Sequence, residues 1–370
     1  MSALFSPLKL RAMTLRNRIV VSPMCQYSAE RGEATAWHMV HIGSLALSGA
    51  AMFCIEATAV EADGRITPGC LGLWDERCEA ALRPVLSAVR KYSNIAVTMQ
   101  LAHAGRKASS RVPWEGGELI PVTQGGWLPQ APSALPYKQG EAAPLALDRA
   151  GLLRVRQAFV QAAQRAVRLG IDCLEIHAAH GYLLHEFLSP IANQRSDEYG
   201  GSLVNRLRFP LEVFDAVRAA VPADRPVGVK VSATDWVDGG WDIEQTIALS
   251  RELQRRGVDW IAVSSGGLSP LQQIAVAPGY QVPFAKAVKE SAGVNTIAVG
   301  LITQAQQAEQ IIAGGNADLV ALARAMLYDP RWPWHAAAEL GATVEAPPQY
   351  WRSQPGGLRN LFGDVASGVR

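Results

Sequence analysis

The sequence predicts an α/β protein folded as a (β/α)8 barrel, with an insertion after the third strand and an irregular C-terminal tail. Short apolar runs rich in β-branched residues recur along the 370 residues, without the polar alternation of a sheet that has one face in water. Amphipathic helical patterns separate these runs, which favours strands buried in a parallel sheet. A doubly wound sheet is the alternative, but no G-x-G-x-x-G follows an early strand. The eight predicted strands are residues 19–21, 52–55, 95–101, 173–176, 227–231, 260–263, 296–299 and 319–322.

Four helices are especially clear from their apolar periodicity. They are predicted at residues 152–169, 203–219, 243–256 and 304–313. Gly170, Gly257 and Gly314 directly follow three of them. Because helices commonly end at a residue with left-handed backbone, we predict that these glycines are C-terminal caps.

One segment, residues 104–148, interrupts the alternation of strands and helices. It is rich in glycine and proline, contains Trp114 and Trp127, and shows no helical period. It is too long for a simple connection and follows a strand, so we predict a lid or subdomain over the barrel mouth. A surface excursion is the alternative. Residues 347–370 form a tail outside the barrel repeat, and we treat residues 1–370 as one domain with these two additions.

Composition narrows the class of protein. A hydrophobic content of 49% can fill the core of one large domain. The net charge of +2 comes without basic runs, so we expect small-molecule partners rather than nucleic acid. The five cysteines include no C-x-x-C pair, which favours reduced thiols in the cytoplasm. We expect neither a secretion signal nor a membrane span, because the most apolar run, residues 49–55, is far shorter than the roughly 20 residues that cross a bilayer.

Polar side chains collect where the predicted strands end, and the most informative group is HAAHGY at residues 177–182. It places two imidazoles and a phenol where an apolar strand runs into a glycine turn, so His177, His180 and Tyr182 could hold a substrate oxygen and supply a proton. Taken alone, the two histidines could equally be zinc ligands or core residues. Other predicted strands end in polar residues too: Cys25, Tyr27, Gln100, Lys107, Lys230, Ser264 and Arg324.

A polar ligand in the barrel mouth explains these residues together. Barrels of this type hold their chemistry at the C-terminal ends of the strands. Each residue alone could be structural, but burying a polar group without a partner costs about 1 to 3 kcal/mol. Gly300 and Arg324 follow strands seven and eight, where a close backbone approach and a cation suit a phosphate. Lys230 suits negative charge on the pyrimidine edge of a flavin, so the pattern predicts FMN.

These residues lie in motifs that resemble the Old Yellow Enzyme family of FMN-dependent ene-reductases, and within it the bacterial thermophilic-like subgroup. The resemblance extends over nearly the whole chain, and the combination of motifs is highly specific. The motifs are LRNRI at 15–19, SPMCQY at 22–27, EATAV at 56–60, GRI at 64–66, QLAHAGRK at 100–107, HAAHGY at 177–182, FLSP at 187–190, NQRSDEYGGSL at 193–203 and NR at 205–206.

The resemblance implies an oxidoreductase that uses NADPH, or NADH, to reduce the activated C=C bond of α,β-unsaturated carbonyl or nitro compounds in a ping-pong cycle. It implies that His177 and His180 bind the carbonyl oxygen, that flavin N5 delivers hydride to Cβ, and that Tyr182 protonates Cα. Tyr27 and Lys107 line the same pocket. The implied FMN contacts are Ser22, Pro23, Met24, Cys25, Ala57, Gln100, Lys230, Gly300, Ala323 and Arg324, with Cys25 a weak donor that tunes the flavin.

Two residues depart from the usual pattern of the subgroup. Lys230 stands where arginine is usual, which keeps the charge but loses the guanidinium fork. Ala323 stands where glycine is usual, and its methyl group is tolerable if φ is negative.

The C-terminal segment QYWR at residues 349–352 matches the spacing by which an arginine of this subgroup reaches the adjacent subunit's active site. The resemblance therefore implies a homodimer or dimer-based homotetramer, with Arg352 in the partner's substrate site. A monomer with a surface tail is the alternative.

Two further functions stay open from the sequence. One is a zinc-dependent barrel lyase or isomerase that uses His177 and His180, and the other is a flavin-binding protein without turnover. An iron–sulfur relative of the dienoyl-CoA reductase type needs a cysteine cluster, which five dispersed cysteines do not provide.

Overall fold

A computed structural model of the chain describes residues 2–358 and 360–365. Eight parallel strands form a closed barrel, which confirms the eight predicted strands and the (β/α)8 fold. Each strand pairs with its neighbour along the chain, and the last pairs with the first, with Val320 opposite Ile19. The strands are β1 (Ile19–Val21), β2 (Met52–Ala59), β3 (Ala96–Ala102), β4 (Cys173–Ala178), β5 (Val227–Ser232), β6 (Ile261–Ser264), β7 (Thr296–Ala298) and β8 (Leu319–Leu322).

Helices connect successive strands. They are α1 (Ala36–Ala46), α2 (Glu76–Tyr92), α3 (Arg149–Arg168), α4 (Leu183–Leu188), α5 (Leu203–Ala220), α6 (Ile243–Arg255), α7 (Val282–Ala292), α8 (Ala305–Ala313), α9 (Arg324–Tyr328) and α10 (Trp332–Glu339). The four predicted helices correspond to α3, α5, α6 and α8. Gly170 and Gly257 have left-handed φ of +76° and +81°, as predicted. Gly314 is the C-cap of α8, as predicted, but the left-handed conformation expected of it is wrong: its N–H still bonds the Gln310 carbonyl, its φ is −77°, and Gly315 takes the left-handed conformation at +69°.

A layer of paired polar groups crosses the barrel interior. Glu175 accepts hydrogen bonds from Gln100 Nε2 at 2.7 Å and from Trp260 Nε1 at 3.2 Å, so this buried carboxylate is satisfied. Residues two apart in a strand face the same side, so His177 lies in the next layer toward the C-terminal ends of the strands. The interior is therefore closed below the barrel mouth.

The insertion after β3 consists of short turns and one pair of two-residue strands, Gln130–Ala131 with Leu145–Ala146. Trp127 anchors it to the loop after β2, because its Nε1 donates to the Asp63 carbonyl at 2.9 Å. Arg195, after α4, donates to the carbonyl oxygens at positions 132 and 147. The insertion is thus fastened to loops at the C-terminal ends of the strands, and its action as a lid stays a prediction.

The opposite end of the barrel is covered by an N-terminal hairpin, Leu8–Leu10 with Met13–Leu15. The described part of the tail packs on α10, where the rings of Trp334 and Phe362 lie 4.8 Å apart. A cavity of about 650 Å³ lies between the tail and the residues that precede β2 and β3. Residues 359 and 366–370 of the predicted tail lie outside the described residues. No helix in the described part of the chain is long and apolar enough to cross a membrane.

Candidate active site

The three side chains predicted to perform the chemistry lie together at the C-terminal end of β4. The imidazole centroids of His177 and His180 are 5.2 Å apart, with their planes at 88°. The Tyr182 phenol lies 5.0 Å from the His177 ring, at 87°. The structure therefore gathers two imidazoles and one phenol into a single cluster.

The turn that carries this cluster is tightly constrained. His180 and Gly181 have consecutive left-handed φ of +59° and +72°. Position 181 requires glycine, because a Cβ there would lie 2.2 Å from the Gly267 carbonyl oxygen. The Gly181 N–H donates to His185 Nδ1, and the His180 N–H donates to Ser232 Oγ, each at 2.9 Å. Such a strained conformation persists only because its surroundings hold it.

Hydrogen bonds and charge determine the state of the two imidazoles. His177 Nδ1 accepts from the Ala179 N–H at 3.2 Å, so the ring proton is on Nε2 and can be donated. His180 Nε2 lies 2.7 Å from Ser264 Oγ. Burial, followed by the charge of Lys230, lowers the pKa of both rings well below the ordinary histidine value. Both are therefore neutral at pH 7.

Lys230 is a buried cation without a protein partner. It is 6% exposed and has no hydrogen bond or ion pair with the residues that the structure describes. On adjacent strands it stands opposite His177 in register. Burying a charge without a partner costs several kcal/mol, so such a cation fits a site that receives a group with negative charge.

The ends of β1 and β2 contribute the next wall of the mouth. Residues 22–25 follow β1 directly, and the Gln26 N–H donates to Glu56 Oε2 at 2.9 Å, which ties the two strand ends together. The pairing register of β2 with β3 shifts between Ile55 and Thr58, so the strand bends around Ala57 near its C-terminal end. Burial raises the pKa of the half-buried Cys25 thiol, and the Glu56 charge adds to this. Cys25 is thus a neutral thiol, a weak donor and a poor nucleophile.

Lys107 follows β3 and lies above the cluster. Its Nζ donates to the carbonyl oxygens of His180 and Gly267, each at 2.9 Å. The same Nζ is 5.0 Å from the ring centroids of both Tyr182 and Tyr137. Lys107 therefore supports the turn that carries His180 as well as lining the pocket.

The insertion supplies two aromatic residues that the sequence reading did not assign to the site. One is Tyr137, beside Lys107, and the other is Trp114, which meets Tyr27 edge-on at 5.7 Å. Both lie in irregular segments without a periodic pattern. Their place in a segment predicted to overhang the mouth is the signal that the sequence offers.

The ends of β7 and β8 carry the residues predicted to hold a phosphate. Gly300 has φ of +108°, and a Cβ there would lie 2.6 Å from Gln281 Nε2, so only glycine fits without a shift. Ala323 has φ of −106°, which satisfies the condition for its extra methyl group. Arg324, the first residue of α9, is exposed and has no ion pair with the described residues.

Arg352 is not brought into this cluster. It is an exposed residue of the turn Pro348–Ser353. Its neighbour Trp351 lines the cavity beside the residues that precede β2 and β3. Arg352 thus lies toward the end of the barrel opposite Tyr182.

The alternative of a zinc enzyme requires a set of protein ligands for the metal. Within residues 2–358 and 360–365, no three His, Cys, Asp or Glu side chains are arranged to hold a metal ion. A zinc site needs at least three protein ligands, and His177 and His180 supply two.

Comparison with known proteins identifies the family. The model of the NADH:flavin oxidoreductase / NADH oxidase family matches residues 3–342. The chain belongs to this family. The resemblance to Old Yellow Enzyme that the motifs carry is thereby confirmed.

Curated relatives are similar over almost their full length. An NADPH dehydrogenase of Geobacillus thermodenitrificans is 44% identical over 353 residues, which covers 95% of this chain and 98% of that protein. An NADPH dehydrogenase of Listeria innocua is 43% identical over 355 residues, covering 95% and 99%. Among solved structures, morphinone reductase superposes with a TM-score of 0.76 at 27% identity, covering 99% of this chain and 94% of that one.

Membership in the NADH:flavin oxidoreductase family makes the chain a flavin-dependent oxidoreductase with FMN and a nicotinamide as cofactors. The residues present fit FMN. Lys230 is a buried cation that makes no ion pair within the described part of the chain, and Gly300 gives room for a close approach beside the exposed cation of Arg324. The departures from the family pattern, Lys230 and Ala323, keep the charge and a permitted backbone conformation.

Proposed function

We propose that the chain is an ene-reductase that reduces the activated C=C bond of α,β-unsaturated carbonyl or nitro compounds, with NADPH or NADH as reductant. The observation that carries the proposal is the cluster of His177, His180 and Tyr182 in the same mouth as Lys230, a cation that no described residue pairs with. The cluster offers oxygen-binding donors and a proton, and Lys230 offers a charge partner for FMN. Small activated alkenes are the proposed partners.

The two histidines would bind the carbonyl or nitro oxygen of the substrate. His177 Nδ1 is occupied by a backbone N–H, so its Nε2–H is the group left to donate. Negative charge grows on the substrate oxygen as Cβ gains hydride, and fixed donors stabilise it. Removal of one such donor from an enzyme typically lowers the rate about 100- to 1000-fold.

Tyr182 would protonate Cα. Burial raises the pKa of its phenol well above the ordinary value, so the proton stays on oxygen until a strongly basic carbon forms beside it. The O–H bond breaks as the Cα–H bond forms, and solvent then returns a proton to the phenolate.

FMN, when bound, supplies the hydride to Cβ from N5 after receiving one from the nicotinamide. The residues that would hold it are Ser22, Pro23, Met24, Cys25, Ala57, Gln100, Lys230, Gly300, Ala323 and Arg324. Of these, Lys230 would balance charge on the pyrimidine edge, and Arg324 would bind the phosphate. The names of the NADPH dehydrogenase relatives support NADPH as the preferred donor.

An anaerobic titration tests the proposal. NADPH should bleach the flavin absorbance, and 2-cyclohexenone should then restore it, whereas saturated cyclohexanone should not. A flavin that NADPH bleaches but no activated alkene restores would contradict ene-reduction and leave a flavin oxidoreductase of another type.

We also propose a homodimer or dimer-based homotetramer in which Arg352 completes the partner's substrate site. The support is the match of residues 349–352 to the subgroup's spacing, together with the position of Arg352 away from its own Tyr182. Subunits with Arg352→Ala and subunits with Tyr182→Phe are each expected to be impaired. Mixed dimers should regain activity, because one site combines an intact Tyr182 with an intact Arg352. A monomer in sedimentation, or no recovery on mixing, would rule the arrangement out.

We further propose a cytoplasmic location, supported by five cysteines that are all free thiols. Fractionation of the source cells tests it. Recovery in a secreted or membrane fraction would contradict it.

A further inference from the structure

Lys107 lies between Tyr137 of the insertion and Tyr182, the proposed proton donor. Lys107 Nζ lies 5.0 Å from the ring centroid of Tyr137, which belongs to the insertion, and 5.0 Å from the ring centroid of Tyr182. A cation within about 6 Å of an aromatic centroid is attracted to the ring. Lys107 therefore contacts both an aromatic residue of the insertion and the phenol of the active site.

The ammonium group is held at this place by the backbone. Two of its three N–H donors go to the carbonyl oxygens of His180 and Gly267. Carbonyl dipoles and ring faces are all electron-rich, so they favour the charged form of Lys107. Removal of the Tyr137 ring would take away one of these four contacts and open the ammonium group to water.

We propose that Tyr137 is a positioning residue for proton transfer from Tyr182, and that it acts by holding the charged Lys107 against the Tyr182 ring. The inference rests on the proposed ene-reductase function. It also gives the insertion a role in the chemistry beyond covering the mouth.

The charge balance of the step explains why a cation matters there. When Tyr182 gives its proton to Cα, a phenolate is left in a buried site, and an adjacent ammonium group stabilises it until solvent returns a proton. No electron moves in this step. Lys107 would thus lower the barrier to proton transfer.

Two other ionisable groups, Arg106 and Glu186, also influence whether Lys107 is charged. Arg106 lies 5.8 Å from the Tyr137 centroid, and its positive charge disfavours the charged form of Lys107. Glu186 is fully buried, accepts a hydrogen bond from the Arg106 N–H, and supports the charged form of Lys107. Burial lowers the pKa of Lys107 to about 8, so its charge at neutral pH depends on its contacts.

Single substitutions at Tyr137 give the first test. With flavin already reduced, Tyr137→Leu should slow reoxidation by 2-cyclohexenone about threefold to thirtyfold, the range expected for loss of a cation–π contact. Reduction of the flavin by NADPH should be unchanged. Tyr137→Phe keeps the ring and should recover most of the lost rate. Tyr92→Leu is the matched control, because it removes a surface contact of 5.2 Å with Lys91 far from the site.

Double substitutions separate this mechanism from a change in pocket shape. Tyr137→Leu should have little further effect in a Lys107→Met background or in a Tyr182→Phe background, because the pathway is already broken. If Tyr137→Leu slows reoxidation by the same factor in all three backgrounds, the inference is wrong and Tyr137 only shapes the pocket. If the wild-type flavin is not reoxidised by the enone at all, the proposed function fails first and the inference falls with it.

Discussion

His185 Nε2 lies 3.0 Å from Asp235 Oδ1, and both side chains are completely buried. The other carboxylate oxygen of Asp235 accepts from Ser189 Oγ at 2.6 Å and from the Trp241 N–H at 2.7 Å. His185 Nδ1 in turn accepts the N–H of Gly181, in the middle of the active-site turn. One buried carboxylate thus lies against the imidazole that fixes the turn between His180 and Tyr182.

The first prediction is that Asp235→Ala strongly destabilises the fold. Removal of the carboxylate leaves His185, Ser189 and the Trp241 N–H buried without this partner, and each such group costs about 1 to 3 kcal/mol of the free energy of unfolding. Urea denaturation measures the change. Asp238→Ala, at an exposed position three residues away, is the control and should shift stability by at most about 0.5 kcal/mol. Equal small effects at both positions would show that the buried pair contributes little.

The same pair makes the fold sensitive to acid. Burial acts to raise the pKa of Asp235, but the neighbouring His185 imidazole and the hydrogen bonds from Ser189 and the Trp241 N–H outweigh it, so the folded-state pKa is lowered. A lowered carboxyl pKa contributes stability that is present above the unfolded value of about 3.9 and is lost as the pH falls through the folded value. The stability difference between the wild type and Asp235→Asn should therefore shrink below about pH 4. A difference that is constant from pH 7 to pH 3 would contradict this.

The second prediction concerns Lys230, a buried residue whose cation is paired with no side chain among residues 2–358 and 360–365. Lys230→Met should not destabilise the apoprotein, because the lysine makes no hydrogen bond or ion pair with the described residues that the substitution could remove. The same variant should weaken FMN binding, whereas Lys230→Arg should keep most of the affinity. Unfolding with and without FMN, together with fluorescence titration of FMN, measures both effects, and Lys9→Met, at an exposed position, is the control. Destabilisation of the apoprotein by Lys230→Met would show that the ammonium group is satisfied by protein.

The third prediction is that Gly300→Ala reduces both stability and FMN affinity. The residue has φ of +108°, and the new methyl group would meet Gln281 Nε2 at 2.6 Å. A strained left-handed residue costs on the order of 1 to 3 kcal/mol. Gly43→Ala, within α1 with open space around its Cβ position, should be neutral or slightly stabilising. A tight FMN complex in Gly300→Ala would remove the argument for close backbone approach at the end of β7.

The barrel could be predicted because its determinants are local. Each buried strand is a short apolar run, and strand ends in a parallel barrel share one face, so His177, Gln100 and Lys230 could be placed together from the sequence. The state of the imidazoles could not. It depends on Ser264 and Ala179, whose hydrogen bonds to the rings depend on side-chain orientation and turn geometry.

The insertion shows where prediction from the sequence ends. Trp114 and Tyr137 reach the mouth through irregular backbone, and no periodic pattern reports which side chain of such a segment points inward. The conformation of Gly314 could not be predicted for a related reason, since either glycine of the pair 314–315 can take the left-handed conformation and only the hydrogen bond to Gln310 selects between them. Turn geometry at this scale is decided by tertiary contacts.

The fourth prediction is an alkaline limb in the pH profile of flavin reoxidation by enone. The pKa values of His177 and His180 are lowered and that of Tyr182 is raised, so none of the three titrates near pH 8. Burial lowers the pKa of Lys107 to about 8, and its stabilising charge is lost as the pH rises through that value. The rate should therefore fall above about pH 8, and Lys107→Met should abolish this limb.

A neighbouring carboxyl group requires a control for that profile. Burial raises the pKa of Glu186 to about 8, against the charge of Arg106, so it titrates in the same range. Its ionisation supports the charge on Lys107 and opposes the predicted fall. Glu186→Gln should therefore leave the limb in place and sharpen it. If the fall in rate above about pH 8 persists in Lys107→Met but disappears in Glu186→Gln, then Glu186 causes the fall and Lys107 does not.

The fifth prediction is that Tyr182→Phe separates the two halves of the catalytic cycle. The substitution keeps the ring that contacts His177 and Lys107 but removes the only proton predicted to reach Cα. Reoxidation of the flavin by 2-cyclohexenone should slow on the order of 100-fold, the scale of a lost general acid, less whatever proton transfer water provides. Reduction by NADPH needs no proton from Tyr182 and should proceed as in the wild type. Stopped-flow absorbance of each half-reaction measures both, with Tyr92→Phe as control. Equal slowing of both halves would mean that the phenol positions the cofactor and does not act as the acid.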